Sequence, residues 1–244
     1  MSTSIALLCE GPTDPPTVCP LVDRVIVAGI DWIDADEIDT HRHYRGFRPT
    51  DPYMTWFEID DLAKQFEVKS RGHFEGFPLH RDGHNTRKAL TLLAFHAPSE
   101  VPVDAVVIFR DGDTEYEARR EAIRKVRDAI AHPVPVVVGV ANRMRECWVI
   151  NAFDPNEQER DQFDAECNRI GFDPRARAHH LADRNEGEDR CPKRVLRSLS
   201  SDDRNREREC VSSAPLERLR LRGEETGLND FIDELEAHLL RAFR

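Results

Sequence analysis

The sequence predicts an α/β protein built on a parallel sheet flanked by helices. Two short apolar runs end abruptly on glycine and acid: Ile5–Cys9 before Glu10-Gly11-Pro12, and Val103–Phe109 before Arg110-Asp111-Gly112-Asp113. A helical stretch follows the second run, and a further apolar run, Val136–Val140, follows that helix. Runs of this length bounded by turn residues read as strands buried on both faces. Strand, helix and strand in succession is the βαβ unit of a parallel sheet.

Taken in order, the strand at Ile5–Cys9 leads into a turn, and Pro20 marks the first turn of a helix. Its apolar stripe is Leu21, Val22, Val25 and Ile26, with Gly29 as its stop. Residues 31–80 mix acids, aromatics and histidines without a sustained period, and read as an insertion holding one short helix near Ile59–Phe66. Asn85 is the expected N-cap of a helix through Ala89, Leu90, Leu92, Leu93 and Phe95, because Arg81-Asp82-Gly83 looks like a helix breaker. After the second run, Thr114-Glu115-Tyr116-Glu117 has the spacing of a capping box. The arginines and lysine from Arg119 to Arg127 read as the solvated face of the helix it opens.

Beyond Val136–Val140 a helix opens near Asn142 and carries Glu146 and Trp148, the latter as a core residue. Residues 183–213 are dense in charge and serine, and read as an exposed, partly mobile stretch around one short helix from Pro192. An amphipathic helix carrying Leu228, Phe231, Ile232, Leu235, Leu239 and Phe243 closes the chain. The expected organisation is a core over 1–155, with 31–80 inserted, and a mainly helical extension over 156–244.

The composition narrows the function classes. A hydrophobic share of 39% in 244 residues is enough for a real core. No apolar run approaches the ~18 residues of a membrane span, and the opening Met1-Ser-Thr-Ser-Ile has no targeting signature, so the expectation is a cytoplasmic protein. Six cysteines without a CxxC pair argue against a zinc module. The net charge of -11 argues against broad electrostatic gripping of nucleic acid, and points to a partner or an oligomer as the source of affinity.

The chemistry lies at the strand ends. In an open parallel sheet, ligands bind beyond the carboxyl ends of the strands. Glu10 ends the first strand, and Asp111 and Asp113 end a later one. In extended chain, positions i and i+2 point the same way, so the two aspartates can face one point, with Gly112 freeing the backbone to turn. Hard cations take oxygen ligands and keep several waters, so two or three carboxylates suffice for Mg²⁺ or Mn²⁺.

Ile5–Asp14, read as IALLCEGPTD, and Val106–Asp113, read as VVIFRDGD, resemble the Toprim domain of topoisomerases, bacterial primases, ribosomal-RNA maturation nucleases and OLD-family nucleases. The chain is most similar to the small bacterial Toprim and OLD-type nucleases associated with ATPases and anti-phage defence. Arg145-Glu146-Cys147-Trp148 resembles the E-x-W segment of that branch, and Pro192-Lys193 its later basic position. The resemblance covers about residues 4–150, with the Pro192-Lys193 spot beyond.

The resemblance implies a Toprim-like Rossmannoid sheet in which Glu10, Asp111 and Asp113 coordinate Mg²⁺ or Mn²⁺. Two roles are open to Asp14, a metal-shell acid or a cap. Two are open to Glu146, a second metal position or a first-turn acid stabilised by the helix dipole. Lys193 either steadies the pentavalent phosphate or is a surface lysine. The expected function is an endonuclease or nickase acting on DNA or RNA, held or recruited by a partner such as an ATPase subunit, with homo-oligomerisation as another route. The alternatives are phosphoryl or nucleotidyl transfer on a small nucleotide, and a non-catalytic Toprim-like interaction module.

Overall fold

The computed structural model describes residues 2–70, 73–74, 77–98 and 101–244, without the side chains of 73, 74, 77 and 78. Met1 and residues 71–72 and 75–76 of the expected insertion lie outside the described residues.

The chain begins with strand β1, Thr3–Cys9, and helix α1, Pro15–Gly29. The short helix α2, Ile38–His41, and strands β2, Arg42–Arg45, and β3, Met54–Thr55, come next. Helix α3, Ile59–Gln65, then precedes the small pair β4, His73–Phe74, and β5, Phe77–Pro78. The remaining core elements are α4, Arg81–Phe95; β6, Ala105–Asp111; α5, Tyr116–Ala129; β7, Val136–Ala141; and α6, Arg145–Ala152. The C-terminal part is helical: α7, Arg160–Ile170; α8, Pro192–Ser200; α9, Arg204–Ser213; α10, Leu216–Gly223; and α11, Leu228–His238.

The main sheet is parallel, in the order β2-β1-β6-β7, with β3 pairing β1 beyond β2. Alternation along each strand sorts side chains onto two cores. Ile5, Leu7, Cys9, Val107, Phe109 and Val137 face α1, α6 and α11, whereas Ala6, Leu8, Val106, Ile108, Val136 and Val138 face the α3, α4 and α5 side. Both faces are therefore dry, which is why these strands read as continuous apolar runs.

Four local expectations are corrected. The first helix starts at Pro15 rather than Pro20, because the Pro15-Pro16 pair fits the first turn, where amide donors have no partner to lose. The 31–80 stretch is not merely inserted, since β2 registers Thr3–Ala6 against Arg42–Arg45 and β3 extends that edge. Arg81-Asp82-Gly83 lies inside α4, whose first turn His80 caps by accepting from the Asp82 amide through Nδ1 at 3.2 Å. Residues 183–213 hold a second helix, α9, which Arg206 ties to Glu159 at 2.7 Å.

The capping box at Thr114 is also absent. Glu115 stands at the N-cap of α5 with no side-chain cap bond, and Thr114 Oγ1 accepts instead from Arg184 at 2.7 Å. Nor is the α5 arginine row simply solvated. Arg120 pairs with Asp230 at 2.5 Å and Arg124 with Glu234 at 3.3 Å, clamping α5 to α11. Among the described residues, no helix is long and apolar enough to cross a membrane.

Candidate functional site

Because β1 and β6 are parallel neighbours paired Leu8 to Ile108, the residues that leave their carboxyl ends emerge side by side. Glu10 Oε1 accepts from the Asp111 amide at 3.2 Å and pairs with Arg110 Nη1 at 2.5 Å. On the far side of β6, the turn after β7 brings the Arg145 amide onto Asp111 Oδ1 at 2.7 Å. Thus Glu10 and Asp111, distant in sequence, share one corner of the sheet.

The electrostatics mark this corner as strained. Burial pushes the Asp111 carboxyl well above the ordinary carboxylate range, and the negative fields of Glu146, Glu10 and Asp14 push the same way, against the lowering by the Arg145 amide. Glu10 is raised by burial, opposed by Arg110 and the Asp111 amide. Asp14 is likewise raised by burial, although two backbone amides and Arg145 oppose it. Four acids in mutual repulsion, with their positive charge supplied by arginine, form an arrangement that a divalent cation would relieve.

The other expected residues take distinct places. Asp14 is buried, and its Oδ2 accepts from the Glu10 and Gly11 amides at 2.8 and 3.1 Å. It fixes the β1–α1 turn and so aims Glu10, while giving α1 no side-chain cap. Asp113 departs from the i, i+2 expectation because its φ is 49°, in the left-handed region, and not extended. Its amide donates to Arg143 O at 2.8 Å, and its carboxylate pairs with Arg119 at 3.0 Å instead of standing beside Asp111. Gly112 permits this turn through close approach rather than a special φ: a Cβ there would lie 2.6 Å from Ala141 O.

Glu146, in the first turn of α6, accepts from Arg145 at 3.2 Å and lines a cavity of 240 Å³ with Thr13, Lys193, Arg204 and Glu207. Lys193 therefore opens onto the same cleft as Glu146. Arg145 is buried and committed to Thr17 at 2.8 Å and to Glu146.

Three side chains at this corner escaped sequence reasoning. Trp56 seals it: its amide donates to Cys9 O at the end of β1 and its indole Nε1 to Phe109 O of the neighbouring β6, with Arg110 over its ring at 5.1 Å. Asp82, buried, faces Arg110 and Arg119. Arg119 itself read as solvated but pairs with Asp113 and donates to the Asp111 carbonyl at 2.7 Å. The Trp56 and Asp82 contacts join segments far apart in sequence, and those of Arg119 cross the turn between β6 and α5, so no local periodicity signals them.

Among the described residues, no group of three or more His, Cys, Asp and Glu side chains stands ready as a metal cage. The donor chemistry nonetheless fits a hard cation that keeps most of its waters, which needs only one or two carboxylates. Glu10 and Asp111 supply them, each with one oxygen already oriented by a backbone amide. Comparison with family models, curated proteins and solved structures finds no match for this chain.

Proposed function

We propose that the chain is a divalent-metal-dependent phosphodiesterase of Toprim type, an endonuclease or nickase that hydrolyses the backbone of DNA or RNA. The observation that carries this reading is the meeting of Glu10 and Asp111 at the carboxyl ends of adjacent parallel strands, where burial and neighbouring acids raise the Asp111 carboxyl. Glu10 and Asp111 are the ligands for Mg²⁺ or Mn²⁺, with Glu146 at the edge of the same field and Asp113 one turn away. Bound there, the cation supplies Lewis acidity to the phosphodiester and acidifies a water at the site.

The chain's own groups do the rest. Asp14 holds the turn that presents Glu10, whose carboxyl burial raises above the ordinary carboxylate range. Lys193, across the cleft from Glu146, is suited to the charge that grows on phosphate oxygens as water adds to phosphorus. The net charge of -11 favours a partner, such as an ATPase subunit, or a second copy of the chain as the main source of nucleic-acid affinity. The Toprim resemblance supports the same reading, including recruitment in anti-phage defence.

The test is cleavage of supercoiled plasmid and total RNA in Mg²⁺ and in Mn²⁺ by wild type, Glu10→Ala and Asp111→Ala. Wild type is expected to cut at least one substrate, with a loss of more than about 100-fold in each variant, beyond the effect of changing an outer-shell group. Equal cutting by all three proteins assigns it to contamination. Turnover of mononucleotides alone makes the chain a nucleotide-transfer enzyme. Absence of both activities and of divalent-cation binding makes it an interaction module.

A further inference from the structure

Beside the acidic corner lies a second cluster with a different charge logic. Asp82, in the first turn of α4, is buried, and its Oδ2 lies 3.5 Å from Arg110 Nε and 3.4 Å from Arg119 Nε. All three atoms are buried and lack a partner in hydrogen-bond geometry. His80 Nδ1 stands 3.8 Å from the same oxygen, and Glu115 lies 3.5 Å from Arg119 and 3.9 Å from His80. Two guanidiniums thus converge on one buried acid, while their outer nitrogens reach Glu10 at 2.5 Å and Asp113 at 3.0 Å. The three atoms are thus held to one another by charge and not by hydrogen bonds.

We propose that Arg110 and Arg119, drawn together by Asp82 and paired with Glu10 and Asp113, are the site's phosphate clamp. The proposal rests on the metal-dependent reading above and assigns the residues that receive its substrate. A guanidinium is a planar fork that matches two phosphate oxygens; here Arg110 presents Nη1 to Glu10, and Arg119 presents Nη1 to Asp113 and the Asp111 carbonyl. Glu10 would hold the divalent cation, and Arg110, paired with Glu10 through Nη1 and with Asp82 through Nε, would compete with that cation for Glu10 and keep Asp82 as its second partner. The cluster of Asp82, Arg110 and Arg119 carries one net positive charge, and an anion arriving beside the cation balances it. Asp82 is a positioning residue: it touches no substrate, but sets the spacing of the two arginines.

This arrangement predicts effects of opposite sign. Arg110 competes with the cation for Glu10, so Arg110→Met is expected to bind Mn²⁺ severalfold more tightly than wild type, read by the free-Mn²⁺ paramagnetic signal. The same variant is expected to bind a fluorescein-labelled single-stranded oligonucleotide in Ca²⁺ about 10- to 100-fold more weakly, the value of one charge-assisted hydrogen bond. Arg119→Met is expected to lose oligonucleotide affinity to a similar degree. Asp82→Asn should weaken oligonucleotide binding while leaving Mn²⁺ affinity unchanged, and thermal melting identifies any variant that fails to fold. A purely structural role for the arginines lowers both affinities together. Unchanged or weaker Mn²⁺ binding by Arg110→Met, or unchanged oligonucleotide binding by both arginine variants, overturns the proposal. Wild type that binds no Mn²⁺ at all instead refutes the metal-dependent reading on which it rests.

Discussion

Asp111→Asn is expected to make the protein more stable and, at the same time, inactive. The side chain is half-buried, and desolvation with repulsion from Glu146, Glu10 and Asp14 raises it well above the usual carboxylate range. A carboxyl whose pKa is higher in the folded state binds a proton that the unfolded chain releases. Its contribution is therefore fully present at pH below the unfolded value, about 3.9, and is lost as pH rises through the folded value. Asparagine removes that loss while keeping an oxygen for the Arg145 amide. At neutral pH the gain is expected to be about 1–3 kcal/mol, the scale of a single-site effect with a named cause. For a chain of this size each kcal/mol corresponds to about 2–4 °C in melting temperature.

The stability difference should shrink toward acid pH, where wild-type Asp111 is protonated. Part of the wild type's decline with rising pH should persist in the variant, because Glu10 and Asp14 are raised as well. Melting curves between about pH 4 and 8 check this. A variant less stable than wild type at neutral pH would show that Asp111 serves as a structural ion-pair partner. Stability gained with function lost is the signature of a group kept for a ligand rather than for the fold.

The largest loss of stability is expected from Trp148→Ala. The indole is fully buried, stacked on Phe231 at 5.1 Å and edge-on to Phe109 at the same distance, and its Nε1 donates to Thr226 O at 2.8 Å. Removing a core aromatic costs about 3–5 kcal/mol, a large part of the 5–15 kcal/mol typical of a whole domain. Trp148→Phe should keep much of the packing and remove one of two donors to the Thr226 carbonyl, which retains the Asn142 amide, at a cost of about 0.5–1.5 kcal/mol. Trp148 also anchors α6, the helix that carries the Arg145 amide to Asp111 and Glu146 to the cleft. Chemical denaturation read by far-ultraviolet circular dichroism measures both losses. A cost under about 1 kcal/mol for the alanine variant would contradict the packing account.

The parallel sheet and its carboxyl edge were legible because β1, β6 and β7 are buried on both faces, leaving uninterrupted apolar runs. The edge strand β2 was not. Its Arg42-His43-Tyr44-Arg45 carries no apolar pattern because tertiary partners satisfy its polar groups: Asp23 takes Arg42 and Tyr44, and backbone carbonyls of Gly46, Phe47 and Val101 take the buried Arg45. The first turn of α4 was hidden for a similar reason. Arg81-Asp82-Gly83 resembles a breaker locally, whereas His80 caps it and Asp82 faces arginines from β6 and α5.

Within the site, the strand-end rule sufficed for Glu10 and Asp111. It failed for Asp113, because a left-handed residue ended the extended geometry that the rule assumes. It was also silent on Arg110, Arg119, Asp82 and Trp56, whose grouping comes from packing rather than from spacing along the chain.

The most direct measurement is a Mn²⁺ titration of wild type, Glu10→Gln and Asp111→Asn, following the loss of the free-ion paramagnetic signal at neutral pH. Glu10 and Asp111 sharing one hard cation predicts saturable binding by wild type and a loss of more than about tenfold in affinity in each variant. Equal Mn²⁺ binding by all three proteins, or none by wild type, would contradict the shared centre on which the functional account stands.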